Sequence, residues 1–297
     1  MERSRLDDRR GRAYIACTHP HSRARAFVSR TIAIANQKGG VGKTTTAVNL
    51  AASLAVAEKR TLVVDVDPQG NATSGLGVGG EEFTHSVYDA LVGAIPLQDA
   101  IVRRVHFPLL DLVPATQDLV GVEVELLGRR HREHLLANAL APVRDAYDYV
   151  LLDCPPSLGL LTLNTLTAAD AVLIPIQSEF YALEGLSQLL NTVRIVQRNL
   201  NPTLQIDGVL LTMFDGRLNL SKQVAEEARE YFGANVYKTS IPRNVRIAEA
   251  PSFGKPIVLY DVMSQGAKSY LSLAREVIAR GEERRVGNSR SAAGANL

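Results

Sequence analysis

Short apolar runs alternate with longer amphipathic stretches along most of this chain. The apolar runs contain few polar residues, as expected of strands buried on both faces of a sheet: 31–35, 61–67, 109–115, 150–153, 170–177 and 205–215. Stretches with helical periodicity lie between and beyond them: 47–59, 122–140, 182–200 and 220–232. This alternation predicts an α/β fold with a doubly wound, mostly parallel sheet flanked by helices.

Length and charge divide the chain into three predicted parts. With 297 residues, of which 46% are apolar, the chain is long enough for one large globular domain. The net charge is +2, but residues 1–30 carry +5, so the remainder of the chain carries −3. We expect a basic disordered leader over 1–30, one domain over 31–280, and a polar disordered tail over 281–297.

The stretch NQKGGVGKTTT, residues 36–46, lies between the first predicted strand and the first predicted helix. Gly39, Gly40 and Gly42 have no Cβ, so the backbone can turn tightly and approach a ligand closely. The amide N–H groups at a helix N-terminus favour an anion. In a phosphate-binding loop of this kind Lys43 reaches the β- and γ-phosphates, and the Thr44 hydroxyl ligates Mg²⁺.

This loop departs from the usual pattern G-x-x-x-x-G-K-[ST] at one position. Gln37 stands where the first glycine is expected, and an early lysine, Lys38, follows it. A glycine-rich turn with a solvated lysine is the alternative interpretation. The strand–loop–helix context and the two lysines favour a nucleotide site instead, with a P-loop NTPase-like fold. The predicted nucleotide-binding residues of the loop are Lys38, Gly39, Gly40, Val41, Gly42, Lys43, Thr44 and Thr45.

Acidic residues end two of the predicted buried strands. Asp65 and Asp67 close the run 61–67, and Asp153 closes the run 150–153, directly before a Pro-Pro pair. The carboxyl ends of parallel strands form the edge where open α/β sheets bind ligands. A carboxylate such as Asp153 at this edge can hold Mg²⁺ through water, which is the Walker B arrangement.

KGGVGKTT, residues 38–45, resembles the deviant Walker A loop of the ParA/MinD group of ATPases. Four further stretches, 65–77, 151–159, 179–186 and 241–257, closely resemble ParA/Soj chromosome- and plasmid-partition ATPases. The resemblance covers about residues 31–280. It implies that ATP and Mg²⁺ are the cofactors and that two chains form an ATP-dependent homodimer, in which Lys38 crosses to the nucleotide of the other subunit.

The same resemblance implies roles for particular residues. Lys38, Asp67 and Asp153 would be the catalytic residues, with Asp67 near the attacking water and the Mg²⁺ shell. The metal would be held by Thr44, Asp67 and Asp153. Pro242 and Asn244 match the family's adenine-contacting segment.

The resemblance also implies partners. Arg217 and Arg246 match DNA-contacting positions, so we expect sequence-independent binding to duplex DNA and a cytoplasmic, nucleoid-associated protein. A centromere-binding ParB-type protein would stimulate hydrolysis. Between 238 and 257 the chain carries four basic residues and one acidic residue, which by charge alone suits a solvated loop equally well.

Three other classes of protein are alternatives to this interpretation. A MinD-like membrane switch needs a C-terminal amphipathic helix, but 282–297 offer only Val286 and Leu297 as sizeable apolar residues. An iron–sulfur ATPase needs paired cysteines, whereas Cys17 and Cys154 lie far apart. A DNA-binding protein without hydrolysis is disfavoured by the intact set of lysines and carboxylates. We therefore expect no membrane partner.

Overall fold

The computed structural model describes residues 29–179 and 184–294, the last ten of these and residues 184 and 185 by backbone only. Its centre is a sheet of six parallel strands in the order β3-β2-β4-β1-β5-β6. The strands are β1 (Arg30–Ile34), β2 (Thr61–Asp65), β3 (Leu110–Val113), β4 (Tyr149–Asp153), β5 (Ala171–Gln177) and β6 (Gln205–Thr212). The predicted fold class, a doubly wound parallel sheet, is confirmed.

Helices cover both faces of this sheet. In chain order they are α1 (Lys43–Val56), α2 (Asn71–Gly75), α3 (Val87–Val92), α4 (Val122–Glu125), α5 (Leu135–Leu140), α6 (Leu160–Ala168), α7 (Glu184–Asn199), α8 (Asn219–Phe232), α9 (Val245–Glu249), α10 (Ile257–Tyr260) and α11 (Gln265–Gly294). None of the helices in the described part combines the length and the apolar content needed to cross a membrane.

The strands bury both faces because successive side chains point to opposite sides. On β2, Leu62 and Val64 pack into one apolar layer with α3, α5, α6, α7 and α8, while Val63 packs into the other with α1 and α11. All three side chains are fully buried. This two-sided burial explains why the strands appear in the sequence as continuous apolar runs.

Strand register places the candidate chemistry at one edge of the sheet. Asp153 at the end of β4 pairs with Asp65 at the end of β2 and with Ile34 at the end of β1. The glycine-rich loop starts just beyond Ile34. Because β1 lies centrally between β4 and β5, the loop opens where the winding of the sheet reverses, the usual ligand position in such folds.

The single amphipathic helix predicted over 122–140 is wrong. The chain forms the short helix α4, an irregular stretch, and then α5. His131 has a left-handed φ of 55°, which a continuous right-handed helix cannot contain. Gly128 in the same stretch adds a residue of low helix propensity. The amphipathic pattern of this stretch therefore belongs to two short helices and not to one long helix.

Both predicted domain boundaries fall inside regular elements. β1 begins at Arg30, whose guanidinium is paired with the buried Asp207, so Arg30 belongs to the sheet and not to the leader. α11 remains helical through 281–294, where a disordered tail was expected. Arg284 in this extension also pairs with Asp207, at 3.1 Å. Residues 1–28 of the predicted leader lie outside the described residues.

Candidate nucleotide site

The loop between β1 and α1 has the backbone conformation of an anion cradle. Gly40 and Gly42 have φ angles of 72° and 88°, a left-handed region that is open to glycine. Gly42 is the N-cap of α1, and its carbonyl accepts the first helical hydrogen bond, from the Thr46 N–H at 2.9 Å. The amide groups at the start of α1 therefore face the space inside the loop.

Contacts from neighbouring strands hold this loop in place. The Asn36 side chain donates to the Pro175 carbonyl at 2.7 Å and accepts from the Lys38 N–H at 3.0 Å. On the other side of the loop, the Thr212 hydroxyl lies 2.8 Å from the Val41 carbonyl oxygen, to which it donates. The sheet thus fixes the loop before any ligand contributes.

Lys43 lies inside the loop with only 6% of its surface exposed. Its ammonium group donates to the Lys38 carbonyl at 3.2 Å. Burial lowers the pKa of Lys43, and the nearby negative charge of Asp153 partly opposes that shift. A desolvated cation with one weak neutral acceptor interacts strongly with an anion placed beside it.

Two adjoining cavities lie beside the loop, and Lys43 lines the first of them. The first, of about 320 Å³, is lined by residues of the loop and of the segments after β2, β4 and β6: Gly39, Gly40, Gly42, Lys43, Thr44, Thr45, Asp67, Gln69, Asn71, Pro156 and Met213. We call it the phosphate cavity. The second, of about 310 Å³, shares Gly42, Thr45 and Met213 with the first. It is the more apolar of the two, and we call it the base cavity.

Asp153 is fully buried next to the phosphate cavity, and among the described residues neither carboxylate oxygen has a hydrogen-bond partner. Burial, and after it the charge of Asp65, raises the pKa of Asp153 well above its usual value. The Thr44 hydroxyl is close enough to oppose this shift, although it makes no hydrogen bond of good geometry. A buried carboxylate without partners is costly and is found where a cation completes it.

Asp65, unlike Asp153, has hydrogen-bond partners for its buried carboxylate. It is equally buried but accepts hydrogen bonds from the Thr73 N–H at 2.8 Å and the Thr73 hydroxyl at 2.7 Å. Burial still raises the pKa of Asp65 to about 6, while the bonds from Thr73 limit the rise. Asp65 therefore has a structural partner, and Asp153 is the carboxylate left for a ligand.

The residues at this edge fit Mg²⁺. Thr44 and Asp67 line the phosphate cavity, and Asp67, 7% exposed, accepts a hydrogen bond from the Gln69 N–H. Within the described residues no cluster of three or more His, Cys, Asp or Glu side chains could hold a metal unaided. This agrees with Mg²⁺, which keeps several waters and binds through few carboxylates together with phosphate oxygens.

The base cavity contains both residues predicted to contact adenine. Pro242 and Asn244 line it, together with Ile241, Ile247 and Tyr270 among others. The Asn244 side chain also accepts hydrogen bonds from the backbone N–H groups of Arg246 and Ile247. Apolar walls with one amide group suit a planar heterocycle.

Lys38 differs from the rest of the predicted loop set. Its carbonyl accepts a hydrogen bond from the Lys43 ammonium, but Lys38 is not among the residues that line either cavity. Val41 is likewise held through its carbonyl, with its side chain buried. The side chain of Lys38 is thus not committed to the phosphate cavity of its own chain.

The two arginines predicted to contact DNA lie outside both cavities and are paired with carboxylates. Arg217, with 89% of its side chain exposed, binds both oxygens of Asp215, at 2.9 and 2.6 Å. Arg246 binds Glu249 at 3.0 Å and lies 3.7 Å from Asp261. The guanidinium groups of both arginines are thus engaged by these carboxylates, whereas the backbone N–H of Arg246 donates to the side chain of Asn244, a predicted site residue, at 2.9 Å.

Sequence reasoning missed several residues that shape the site. Asn36, Thr73 and Thr212 fix the loop and Asp65, and Gln69 and Met213 line the phosphate cavity. Asn36 directly follows the predicted apolar run 31–35, at the edge where ligands bind, and that position was an available signal. Thr212 lies inside the predicted run 205–215, and only the observed end of β6 places it at this edge. Their partners lie 139 and 171 residues away, so the contacts themselves could not be inferred.

The described part also bears on the iron–sulfur alternative. Cys154 is completely buried beside Asp153, and burial raises the pKa of its thiol. A thiol of this kind is inert and is a poor metal ligand. Cys17 lies outside the described residues, as do the side chains of Val286 and Leu297, the two sizeable apolar residues of the C-terminal stretch.

Known proteins resemble this chain over most of its length. Residues 29–206 match the family described as an AAA domain. The chain is 59% identical over 254 residues to the sporulation initiation inhibitor protein Soj of Bacillus subtilis, covering 86% of this chain and 100% of that protein. It is 58% identical over 255 residues to the chromosome partitioning protein ParA of Myxococcus xanthus, covering 86% and 90%.

A solved structure agrees with the sequence matches. Cobyrinic acid a,c-diamide synthase from Mycobacterium smegmatis, with bound ADP and magnesium, superposes with a TM-score of 0.72 at 38% identity, covering 84% of this chain and 93% of that one. The resemblance seen in the loop and strand-end motifs is therefore confirmed. With a phosphate-binding loop at the sheet's switch point and near-full-length matches to Soj and ParA, this chain belongs to the ParA/Soj family of P-loop chromosome-partitioning ATPases.

Proposed function

We propose that this chain is an ATP-dependent switch that segregates chromosomes or plasmids. The observation that carries the proposal is the pair formed by Lys43, a desolvated cation that lines the phosphate cavity, and Asp153, a buried carboxylate near it that has no hydrogen-bond partner among the described residues. Magnesium ATP would satisfy both, since its phosphates meet the lysine and its metal meets the carboxylate. The base cavity would hold the adenine between apolar walls.

The positions of the other site residues support the roles proposed for them. Thr44, Asp67 and Asp153 would hold Mg²⁺, with Asp153 acting through water. The bound ion would supply positive charge to the phosphate oxygens during transfer. Asp67 would orient the attacking water, since its carboxylate faces the phosphate cavity from the segment after β2.

Lys38 would act on the nucleotide of a second copy of the chain. Its side chain lies outside the phosphate cavity of its own subunit, as a residue that crosses a dimer interface must. A lysine delivered from outside would place positive charge where the γ-phosphoryl group breaks its bond. Hydrolysis would then require the ATP-bound dimer.

The dimer would bind duplex DNA without sequence preference, in the cytoplasm and on the nucleoid. Arg217 and Arg246 would contact phosphates, which carry no base information. Two copies on one surface would double the number of phosphate contacts. A ParB-type centromere-binding protein would stimulate hydrolysis and so release the dimer from DNA. The family to which the chain belongs supports this part of the proposal.

Mixing two inactive variants tests the switch. Lys38→Ala and Asp67→Ala should each bind ATP but hydrolyse it at a small fraction of the wild-type rate. In a mixed dimer, the subunit that keeps Asp67 receives an intact Lys38 from its partner. Part of the activity should therefore return on mixing, measured as phosphate release with DNA and a ParB-type protein present.

The same mixture separates the alternatives. If Lys38 served its own nucleotide, each site of a mixed dimer would lack one group and the mixture would stay inactive. Adding Lys43→Ala to the subunit that keeps Asp67 is the matched control, since it removes nucleotide from the one competent site and should abolish the recovered activity. Recovery that survives this control would contradict the site assignment.

A further inference from the structure

Helix α9 (Val245–Glu249) lies between the base cavity and the surface that carries Arg246. Ile247 and Ala248 line the base cavity from one side of the helix. Arg246 projects from the other side and has 56% of its side chain exposed. A helix of five residues is marginal by itself, so its position depends on its caps and on its packing.

Asn244 is the N-cap of α9 and lines the base cavity as well. Its side-chain oxygen accepts from the Arg246 N–H at 2.9 Å and from the Ile247 N–H at 3.3 Å. Backbone N–H groups can only donate, so these two bonds fix which end of the amide is oxygen. The group that Asn244 can still offer to a base is therefore its NH₂ donor.

The surface side of α9 is an ion-pair network. The Arg246 guanidinium binds Glu249 at 3.0 Å and lies 3.7 Å from Asp261, while Glu249 also accepts from the Tyr260 hydroxyl at 3.1 Å. A shift of α9 would change how many guanidinium N–H groups of Arg246 bind these carboxylates and how many are left to bind an external phosphate. The backbone N–H of Arg246 is thus held by Asn244 on the cavity side of α9, while its guanidinium is held by carboxylates on the surface side.

We propose that Asn244 is a positioning residue that couples occupancy of the base cavity to the presentation of Arg246. A base acceptor bound by the NH₂ group restricts rotation of the amide, and the amide oxygen then holds the first turn of α9 more firmly. Occupancy of the phosphate cavity alone does not engage this contact. The inference rests on the proposed function, because it takes ATP as the ligand and DNA as the partner of Arg246.

A pair of neutral variants separates the two roles of Asn244. Asn244→Ser keeps an N-cap oxygen, since serine caps as well as asparagine does, but its shorter side chain withdraws the donor from the base. Asn244→Ala removes both. We expect ATP affinity to fall by a similar factor, roughly fivefold, in the two variants, because each loses one neutral hydrogen bond to the base.

Hydrogen exchange at the Arg246 and Ile247 amides reads the coupling directly. In the wild type, protection should rise when magnesium ATP binds, and should not rise with magnesium tripolyphosphate, which has no base. In Asn244→Ser these amides should already be protected without nucleotide, and ATP should change their protection little. In Asn244→Ala it should be low under both conditions.

DNA affinity at saturating ATP supplies the second measurement. Asn244→Ser should bind duplex as the wild type does, whereas Asn244→Ala should bind roughly fivefold more weakly, the usual size of an N-cap loss. Asp89→Ala is the matched control, since it removes the side chain that accepts from the Ser86 N–H at the start of α3, which lines neither cavity. It should lower thermal stability without changing DNA affinity.

The outcomes are decisive in both directions. Wild-type DNA affinity in Asn244→Ala at saturating ATP, or an equal rise in protection with tripolyphosphate, would overturn the coupling. A wild type that shows no ATP-dependent DNA binding would instead count against the proposed function, and the exchange measurement would still decide whether the base cavity controls α9.

Discussion

The phosphate cavity and the arginine surface satisfy their charges in opposite ways. Asp153 is fully buried and has no hydrogen-bond partner within the described residues, while Arg217, 89% exposed, is held by both oxygens of Asp215. The cavity is fixed by the sheet but electrostatically incomplete. The surface is exposed and already paired. A ligand would supply the missing partners in the phosphate cavity. At the arginine surface, a binding partner must replace the carboxylates that already hold the arginines.

This difference bears on the strength of binding. Charge interactions in a desolvated cavity are strong because little water screens them. Pairs between exposed groups contribute little, and salt weakens them further. We therefore expect nucleotide binding to depend steeply on single residues of the cavity. Binding at the arginine surface should instead depend on the summed contributions of several charges.

The largest expected effect is the loss of ATP binding in Lys43→Ala. Removing the buried ammonium deprives the phosphates of a desolvated cation at hydrogen-bond distance, so affinity should fall by about 100-fold or more, equivalent to about 2.8 kcal/mol. Isothermal titration calorimetry measures this. Lys222→Ala, on the exposed face of α8, is the control and should bind ATP normally. Equal affinities in the two variants would place the nucleotide elsewhere.

The second prediction concerns the incomplete carboxylate itself. Asp153→Asn should stabilise the protein in the absence of nucleotide by about 2 kcal/mol at neutral pH, because folding then no longer forces a buried carboxyl either to take up a proton or to stay charged without a partner. With magnesium ATP the order should reverse, since the variant gains less from the ligand. Urea unfolding with and without magnesium ATP measures both differences. A variant less stable than the wild type in both conditions would show that Asp153 is structural.

The pH dependence of this difference has a definite sign. The folded chain raises the pKa of Asp153 well above 3.8 and that of Asp65 to about 6, so over this interval the folded state holds protons that the unfolded chain releases. The contribution of these two carboxyls to stability is therefore fully present at low pH and declines as pH rises toward and beyond 6. The advantage of Asp153→Asn should grow along the same interval.

The sequence predicted the cavity better than the surface, for a physical reason. Gly40, Gly42, Lys43 and Asp153 occupy positions that backbone geometry and strand register dictate, so a short motif between apolar runs was enough to identify them. The register of β2 against β4 then brought Asp65 beside Asp153. Local pattern and global topology agree at this edge.

The remaining features depend on contacts that local pattern does not encode. The bond from Thr212 to the Val41 carbonyl spans 171 residues, and the amphipathic pattern of 122–140 fitted one helix as well as two. α11 continues past residue 280 as one helix, and Arg284 in this extension pairs with the buried Asp207, a contact that the local sequence does not reveal. Net charge counts likewise missed that Arg217 and Arg246 are paired.

The smallest expected effect comes from releasing one of these pairs. Asp215 accepts from the Arg217 backbone N–H at 3.0 Å as well as from its guanidinium, and these hydrogen bonds hold the pKa of Asp215 at about 2, so the carboxylate is charged at any working pH. Asp215→Asn keeps the oxygen that accepts the backbone N–H but removes the charge. Arg217 should then be freer to meet a phosphate.

We expect Asp215→Asn to raise the affinity of the ATP-bound protein for duplex DNA by about two- to threefold at low salt, with the gain shrinking as salt screens it. Fluorescence anisotropy with two unrelated duplexes measures this, and both should gain equally because phosphates are read and bases are not. In an Arg217→Ala background the same change should bring a smaller gain, since the arginine that it releases is missing. If Asp215→Asn instead weakens binding in the wild type and has no effect in that background, Asp215 orients Arg217 toward DNA, and the exposed pair is part of the binding surface and not a restraint on it.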